Sequence, residues 1–142
     1  MNEQKPLDDV GGARELARYR LDVAKEDLSA AELSMSQQQY RSANNRAYYA
    51  IFHAISACLA LEFKAFKHHA QVIGHFNKDF VHTGKFPADI AGKIKEAQNL
   101  REACDYADFY IVSIADTETQ LKTAHEIVGL VEQYLQSQQE EK

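Results

Sequence analysis

An all-α fold, an antiparallel up-and-down bundle of four to five helices, follows from three observations. The 142 residues include only two prolines and six glycines, which fall near places where helical periodicity breaks. Apolar residues recur three and four positions apart over long stretches, which puts them on one helix face. No segment alternates apolar and polar residues between turn signals, as a half-exposed strand does.

The first helix spans about Gly12 to Met35, with Asp8 or Asp9 as N-cap and Leu21, Ala24, Leu28, Ala31 and Met35 as its core-facing seam. The second, about Gln39 to Phe63, has two apolar faces. Tyr48, Ile51, Phe52, Ile55 and Leu59 make one, and Ala43, Ala47, Ala50, Ala54, Ala57 and Leu61 the other. Such a helix is central or lies at an interface. A third covers roughly His68 to His82, burying Val72, Ile73, Phe76 and Phe80, and Thr83-Gly84-Lys85-Phe86 stops it. Pro87 suits the first turn of the fourth, where its missing N–H is not needed, and Ile90, Ile94, Ala97, Leu100, Cys104 and Ile111 continue the stripe. Asp116 is the expected N-cap of the fifth, which buries Leu121, Ala124, Val128, Val131 and Leu135. Residues 1–11 are then an N-terminal extension, 12–136 the bundle and 137–142 a polar tail expected to fray.

Composition is that of one globular domain, with 45% hydrophobic and 26% charged residues. The net charge of −5 gives no global attraction for phosphate backbones, so any nucleic-acid contact needs a local basic site. Cys58 and Cys104 fall at apolar helical positions outside any CxxC pair and read as reduced, buried thiols. Neither a signal-peptide pattern nor an apolar run of about 18 residues is present, so a cytoplasmic protein without membrane contact is the expectation. No Gly-rich phosphate loop or Ser/His/Asp ordering has usable context, and no cofactor is implied.

The most informative stretch is Ser42 to His53, SANNRAYYAIFH. Arg46 and His53 are seven residues apart, almost two turns, so they share one helix face with Ser42, Tyr49, Ala57 and Ala60. A charged group on such a face needs a partner, since burying it unpaired costs several kcal/mol. A structural reading pairs Arg46 with a carboxylate such as Asp105 and hydrogen-bonds His53 to Tyr49 or the backbone. A functional reading makes the pair a site whose orientation Asp105 fixes.

Asn44 and Asn45 make local polar contacts near the helix start or touch a ligand. Arg101, Asp105 and Asp108, spaced four and three apart, place a cation and two carboxylates on one face, as an intrahelical ion pair or as orienting groups. Tyr48, Tyr106, Phe109 and Tyr110 suit a core better than base stacking. His68, His75 and His82 recur every seven residues, about 10.5 Å per step along a helix, too far apart to share a metal ion, so no metal site is expected.

The segments SANNRAYYAIFHA, KHHAQVIGHF, FVHTGKFP and LREACDYADFY, in that order, resemble the HEPN domain, in its small bacterial and archaeal branch with an RxYYAxFHA signature. The similarity covers about Ala13 to Gln136. It implies a helical bundle that commonly forms a homodimer. It also implies one of two roles: a metal-independent endoribonuclease, often a toxin of a toxin–antitoxin pair, or the helical partner of a minimal nucleotidyltransferase. A noncatalytic module that binds a nucleotide or docks a partner is the alternative. The family's ribonucleases separate their arginine and histidine by four to six residues, and six lie between Arg46 and His53. His69 matches the histidine of the family's KxH segment, which implies that it caps or orients the Arg46 region. Two positions depart from the pattern. Ala47 follows the arginine where ribonuclease members often have asparagine, and Ile55 stands where members silenced by adenylylation have tyrosine.

The chemistry fits the pair. Cleaving RNA without a metal requires a group that activates the ribose 2′-hydroxyl or protonates the leaving oxygen, and a cation for the phosphate. Imidazole exchanges protons near neutrality and guanidinium forks onto phosphate oxygens. Two protomers apposed along this helix would join their pairs into one basic groove, reconciling an acidic protein with RNA. Asn45, Tyr49, His69, Arg101 and Asp105 are then the candidate binding or orienting residues around Arg46 and His53.

Overall fold

How closely the helices approach is decided by alanine. Ala43, Ala47, Ala50, Ala54, Ala57 and Ala60 are all fully buried on the second helix, whose other face buries Tyr48, Ile51, Ile55 and Leu59. The structure, a computed structural model, describes residues 10–62, 64, 66, 68–106 and 110–140. These form α1 (Val10–Ser36), α2 (Tyr40–Leu61), α3 (His69–Phe76) running into a π-helical turn (Asn77–Val81), α4 (Ile90–Tyr106) and α5 (Ile114–Glu140), with no strand among the described residues.

Side-chain pairs give the directions. Arg20 of α1 bonds Ser56 of α2 while Asp27 bonds Arg46, so α1 and α2 are antiparallel. Lys25 meets Glu132 and Glu32 meets His125, which runs α5 antiparallel to α1. Lys93 meets Glu126 while Gln120 donates to the Ala97 carbonyl, so α4 opposes α5. The four long helices therefore alternate up and down, with α3 packed on α2, and the small residues of α2 let α5 approach it across the bundle. No helix among the described residues is long and apolar enough to cross a membrane.

The ends of the helices have local causes. α1 closes in a Schellman arrangement: Gln39 N–H donates to the Ser34 carbonyl at 2.9 Å and Gln38 N–H to Met35 at 3.0 Å. Gln38 takes the left-handed position (φ 62°), where glycine carries no Cβ penalty. After the π turn the chain reverses at Gly84, φ +85°, a conformation glycine alone adopts freely. That turn closes an aromatic cluster in which Phe76 lies 5.3 Å from Phe80 and 5.1 Å from Phe86, with Tyr134 of α5 5.5 Å from Phe80.

Several boundaries differ from the sequence expectation. Pro87 precedes α4, its carbonyl accepting from Ile90 N–H at 3.1 Å in a turn. α4 ends at Tyr106 and Ile111 is non-helical and exposed; Arg41 of α2 binds the Cys104 carbonyl in the last turn of α4 and the Tyr110 carbonyl beyond it. The N-cap of α5 is Ser113 and not Asp116: Ser113 Oγ accepts from Asp116 N–H at 3.0 Å, so Asp116 sits inside the first turn, where a carboxylate still favours the helix dipole. α5 extends past Ser137 to Glu140, and the Gln138 carbonyl accepts from Arg14. The expected caps Asp8 and Asp9, and Phe63, lie outside the described residues. Cys58 and Cys104 are buried free thiols, and burial pushes both upward in pKa.

Two substitutions test this packing by urea denaturation. Gln38→Gly is expected to stabilise by about 0.5–1 kcal/mol by removing the left-handed Cβ conflict. Phe76→Ala is expected to destabilise by about 3–5 kcal/mol.

Candidate functional site

The site begins with a carboxylate on a seam. α1 turns Ala24, Leu28 and Ala31 toward α2, and Asp27 lies on that same stripe, buried with only 11% of its side chain exposed. A carboxylate there must be paired. Arg46 Nη1 donates to its Oδ1 at 3.1 Å, and His53 Nδ1 donates to its Oδ2 at 2.9 Å. Arg46 and His53 leave their helix about 10.5 Å apart along its axis, yet their heads converge on one carboxylate.

The two partners differ in exposure, 50% for the Arg46 side chain and 32% for His53. Asp27 thus anchors from below while both heads keep a face toward solvent. The bond to Nδ1 also selects a tautomer, making Nε2 the atom able to exchange a proton, and Nε2 has no partner among the described residues. His53 opens onto a cleft of about 350 Å³ between α1, α2 and α3, lined also by Tyr19, Arg20, Phe52, Lys64 and Phe66.

Behind the pair is an aromatic layer. Tyr49 stands 6.1 Å from the His53 ring, and its hydroxyl accepts from Arg101 Nη2 at 3.1 Å. The Arg101 guanidinium lies over Tyr48 and Tyr49, 5.4 and 5.6 Å from their centroids. His69 stacks on Phe52 at 3.9 Å and shares a 3.1 Å hydrogen bond with the Tyr48 hydroxyl. Burial, with Arg101 and His53 adding repulsion, holds His69 below the usual imidazole range, and burial pushes the Tyr48 phenol up to about 12. The phenol therefore keeps its proton at neutral pH and donates to the neutral ring.

The expected residues divide into those brought to the pair and those kept away. Tyr49 and His69 lie around it, and Arg101 reaches it through Tyr49. Asp105 does not reach Arg46 or His53: it ion-pairs with Arg101 at 3.2 Å, one turn away on α4. Asn45 lies with Asp105 in a different pocket, beside Tyr40 and Arg41 at the start of α2. Asn44 is buried and donates to the Tyr40 carbonyl at 3.0 Å and to Thr117 at 2.6 Å, a local structural role. His53 does not hydrogen-bond Tyr49. Tyr48 belongs to the core, whereas Asp108, Phe109 and the Tyr106 side chain lie outside the described residues.

Asp27 was missed by the spacing of α2, because its signal lies on α1. It is an acid three residues after Ala24 and four before Ala31, inside an otherwise apolar seam. Among the described residues no group of three His, Cys, Asp or Glu is placed to hold a metal ion.

The site is thus an Arg/His pair on one helix of an all-α bundle, clamped by an acid from the neighbouring helix. The match to the HEPN domain over residues 17–134 makes the assignment specific: the chain belongs to the HEPN family. Two proteins of Methanocaldococcus jannaschii, each named putative toxin, are similar to it. One is 40% identical over 94 residues, 66% of this chain and 69% of its own length. The other is 28% identical over 122 residues, 86% of this chain and 82% of its own. A UPF0332 protein of Thermotoga maritima is 27% identical over 113 residues, 80% of this chain and 86% of its own.

The depressed His69 fixes a pH dependence. Unfolding restores an ordinary imidazole of about 6.5, so in the window just below that value the unfolded chain binds more protons and stability falls as pH drops. The melting temperature should therefore decrease from pH 7 to pH 5, with a shallower decrease in His69→Phe. Equal slopes in both proteins would contradict the assignment.

Proposed function

We propose that this chain is the toxin-type component of a two-component system and a metal-independent endoribonuclease acting through Arg46 and His53 on cytoplasmic RNA. The observation that carries the reading is the shared carboxylate: Asp27 holds Arg46 at 3.1 Å and His53 Nδ1 at 2.9 Å, and His53 lines an open cleft. The toxin names of two relatives support the two-component assignment and an antitoxin partner.

In this reading Nε2 of His53 takes the proton of the ribose 2′-hydroxyl. The oxygen attacks the adjacent phosphorus, forming a 2′,3′-cyclic phosphate, and the bond to the 5′-oxygen breaks. That leaving oxygen receives a proton, from the imidazolium or from the corresponding group of a second protomer. Arg46 neutralises the charge that builds on the phosphate oxygens. Asp27 stabilises the imidazolium and keeps both heads in place. The half-exposed Arg46 suits this work, because part of its guanidinium stays open to a phosphate while Asp27 holds it. A homodimer apposing two such faces would double the cation density at one groove, which an acidic chain needs in order to hold RNA.

Purified protein is expected to cleave single-stranded RNA in EDTA. His53→Ala should lower the rate by about 10²–10⁴-fold and Arg46→Ala by a comparable factor, while Asp27→Asn, which keeps one acceptor, should lose less. Persistent inertness toward both single-stranded and structured RNA, or undiminished cleavage by His53→Ala, would sink the proposal.

A further inference from the structure

The cleft beside His53 contains groups that proton transfer does not use. Tyr19 on its rim is 64% exposed, a large ring left in water next to a face of α1 that is fully packed. Phe52 and Phe66 line the same cleft, and an imidazole backs each of them, His69 on Phe52 at 3.9 Å and His75 on Phe66 at 4.3 Å. Backed rings of this kind are fixed surfaces, suited to stacking a planar group.

The charge in the cleft is also unspent. Lys64 is already paired with Asp79 at 2.7 Å. Arg20 is not: its Nη1 donates to the Ser56 carbonyl at 3.1 Å, and no carboxylate pairs with it among the described residues. Burial lowers its pKa, and beyond the one Nη1 bond to Ser56 the guanidinium carries further N–H donors in a cleft that it lines. A volume of about 350 Å³ is within the range of small-ligand sites.

We propose that this cleft is a nucleotide subsite for single-stranded RNA: one unstacked base lies between Tyr19 and Phe52, and a phosphate beside that base occupies the free donors of Arg20. The subsite deepens the ribonuclease reading and rests on it for the scissile bond at His53. Stacking on aromatic rings tolerates any base, while the guanidinium fixes the strand's register against Nε2. An amphipathic cleft of this kind also explains how an acidic protein gains a local nucleic-acid contact without a basic surface.

The test is fluorescence anisotropy with a labelled single-stranded 2′-O-methyl RNA octamer, which lacks the hydroxyl needed for cleavage, on the full chain in EDTA. Tyr19→Ala and Arg20→Gln should each weaken Kd about tenfold, Tyr19→Phe should restore it, and Arg20→Gln should reduce the salt slope by about one ion. Tyr19 is exposed, so its variants keep the test valid even where Arg20→Gln folds poorly. Wild-type affinity in Tyr19→Ala, or no binding by the wild type, overturns the subsite, and the first result would fit a cleft that docks protein. Displacement of the octamer by equimolar adenosine monophosphate overturns the commitment to RNA in favour of free nucleotide. The two readings separate cleanly. Tyr19-dependent binding by a protein that never cleaves RNA removes the ribonuclease and keeps the cleft, whereas His53-dependent cleavage with Tyr19-independent binding does the reverse.

Discussion

A carboxylate set into the seam between two helices constrains everything around it. Asp27 is nearly buried where it lies, so it needs side-chain partners, and among the described residues Arg46 and His53 of α2 supply them. The flanking contacts of α1, Ala24, Leu28 and Ala31, keep the helices close and set the register at which those two heads arrive together. Apolar side chains in place of Asp27, Arg46 and His53 together would fill the seam with no charge to pair, and replacing a whole buried ionic cluster in this way is often neutral or stabilising. The carboxylate is therefore better explained by what it positions than by what it stabilises.

That constraint propagates through the aromatic layer. Tyr49 lies against His53 on one side and takes a hydrogen bond from Arg101 on the other, so α4 touches the site through a ring and not through a carboxylate. Asp105 holds Arg101 in turn, one step further out. His69 anchors α3 by stacking on Phe52 and by its bond to Tyr48, and burial, reinforced by the nearby Arg101 guanidinium, favours its neutral form. Three helices, α1, α3 and α4, thus meet at one face of α2, each through a different kind of contact.

The fold was legible because its signals are local. Alanine and isoleucine at three-four spacing identified α2 as the central helix, and the stripes of α1 and α5 emerged from the same rule. The helix ends were not legible, because distant groups decide them. Arg41, more than sixty residues away in sequence, binds carbonyls at the end of α4. Ser113 and Asp116 both have capping side chains, and only the backbone path tells which one is outside the helix. The same distinction holds at the site. Arg46 and His53 announce themselves by sharing a face of one helix, whereas their partner comes from another helix, and Asp105, the guess the motif favours, pairs with Arg101 instead. Asp27 carried a readable signal, an acid within an apolar seam, which spacing along α2 alone does not sample.

The two departures from the family pattern acquire a physical meaning once burial is known. Ala47, where a polar residue often follows the arginine, is fully buried in the alanine face, so a polar side chain there would need a core partner in place of a substrate. The polar role next to Arg46 passes to Asp27, which approaches from α1 and leaves the alanine packing intact. Ile55 is likewise fully buried. It offers no hydroxyl to modify, and its position on the core face would hide one from a modifying enzyme. Modification of a side chain at that position is closed on both counts, by its chemistry and by its burial.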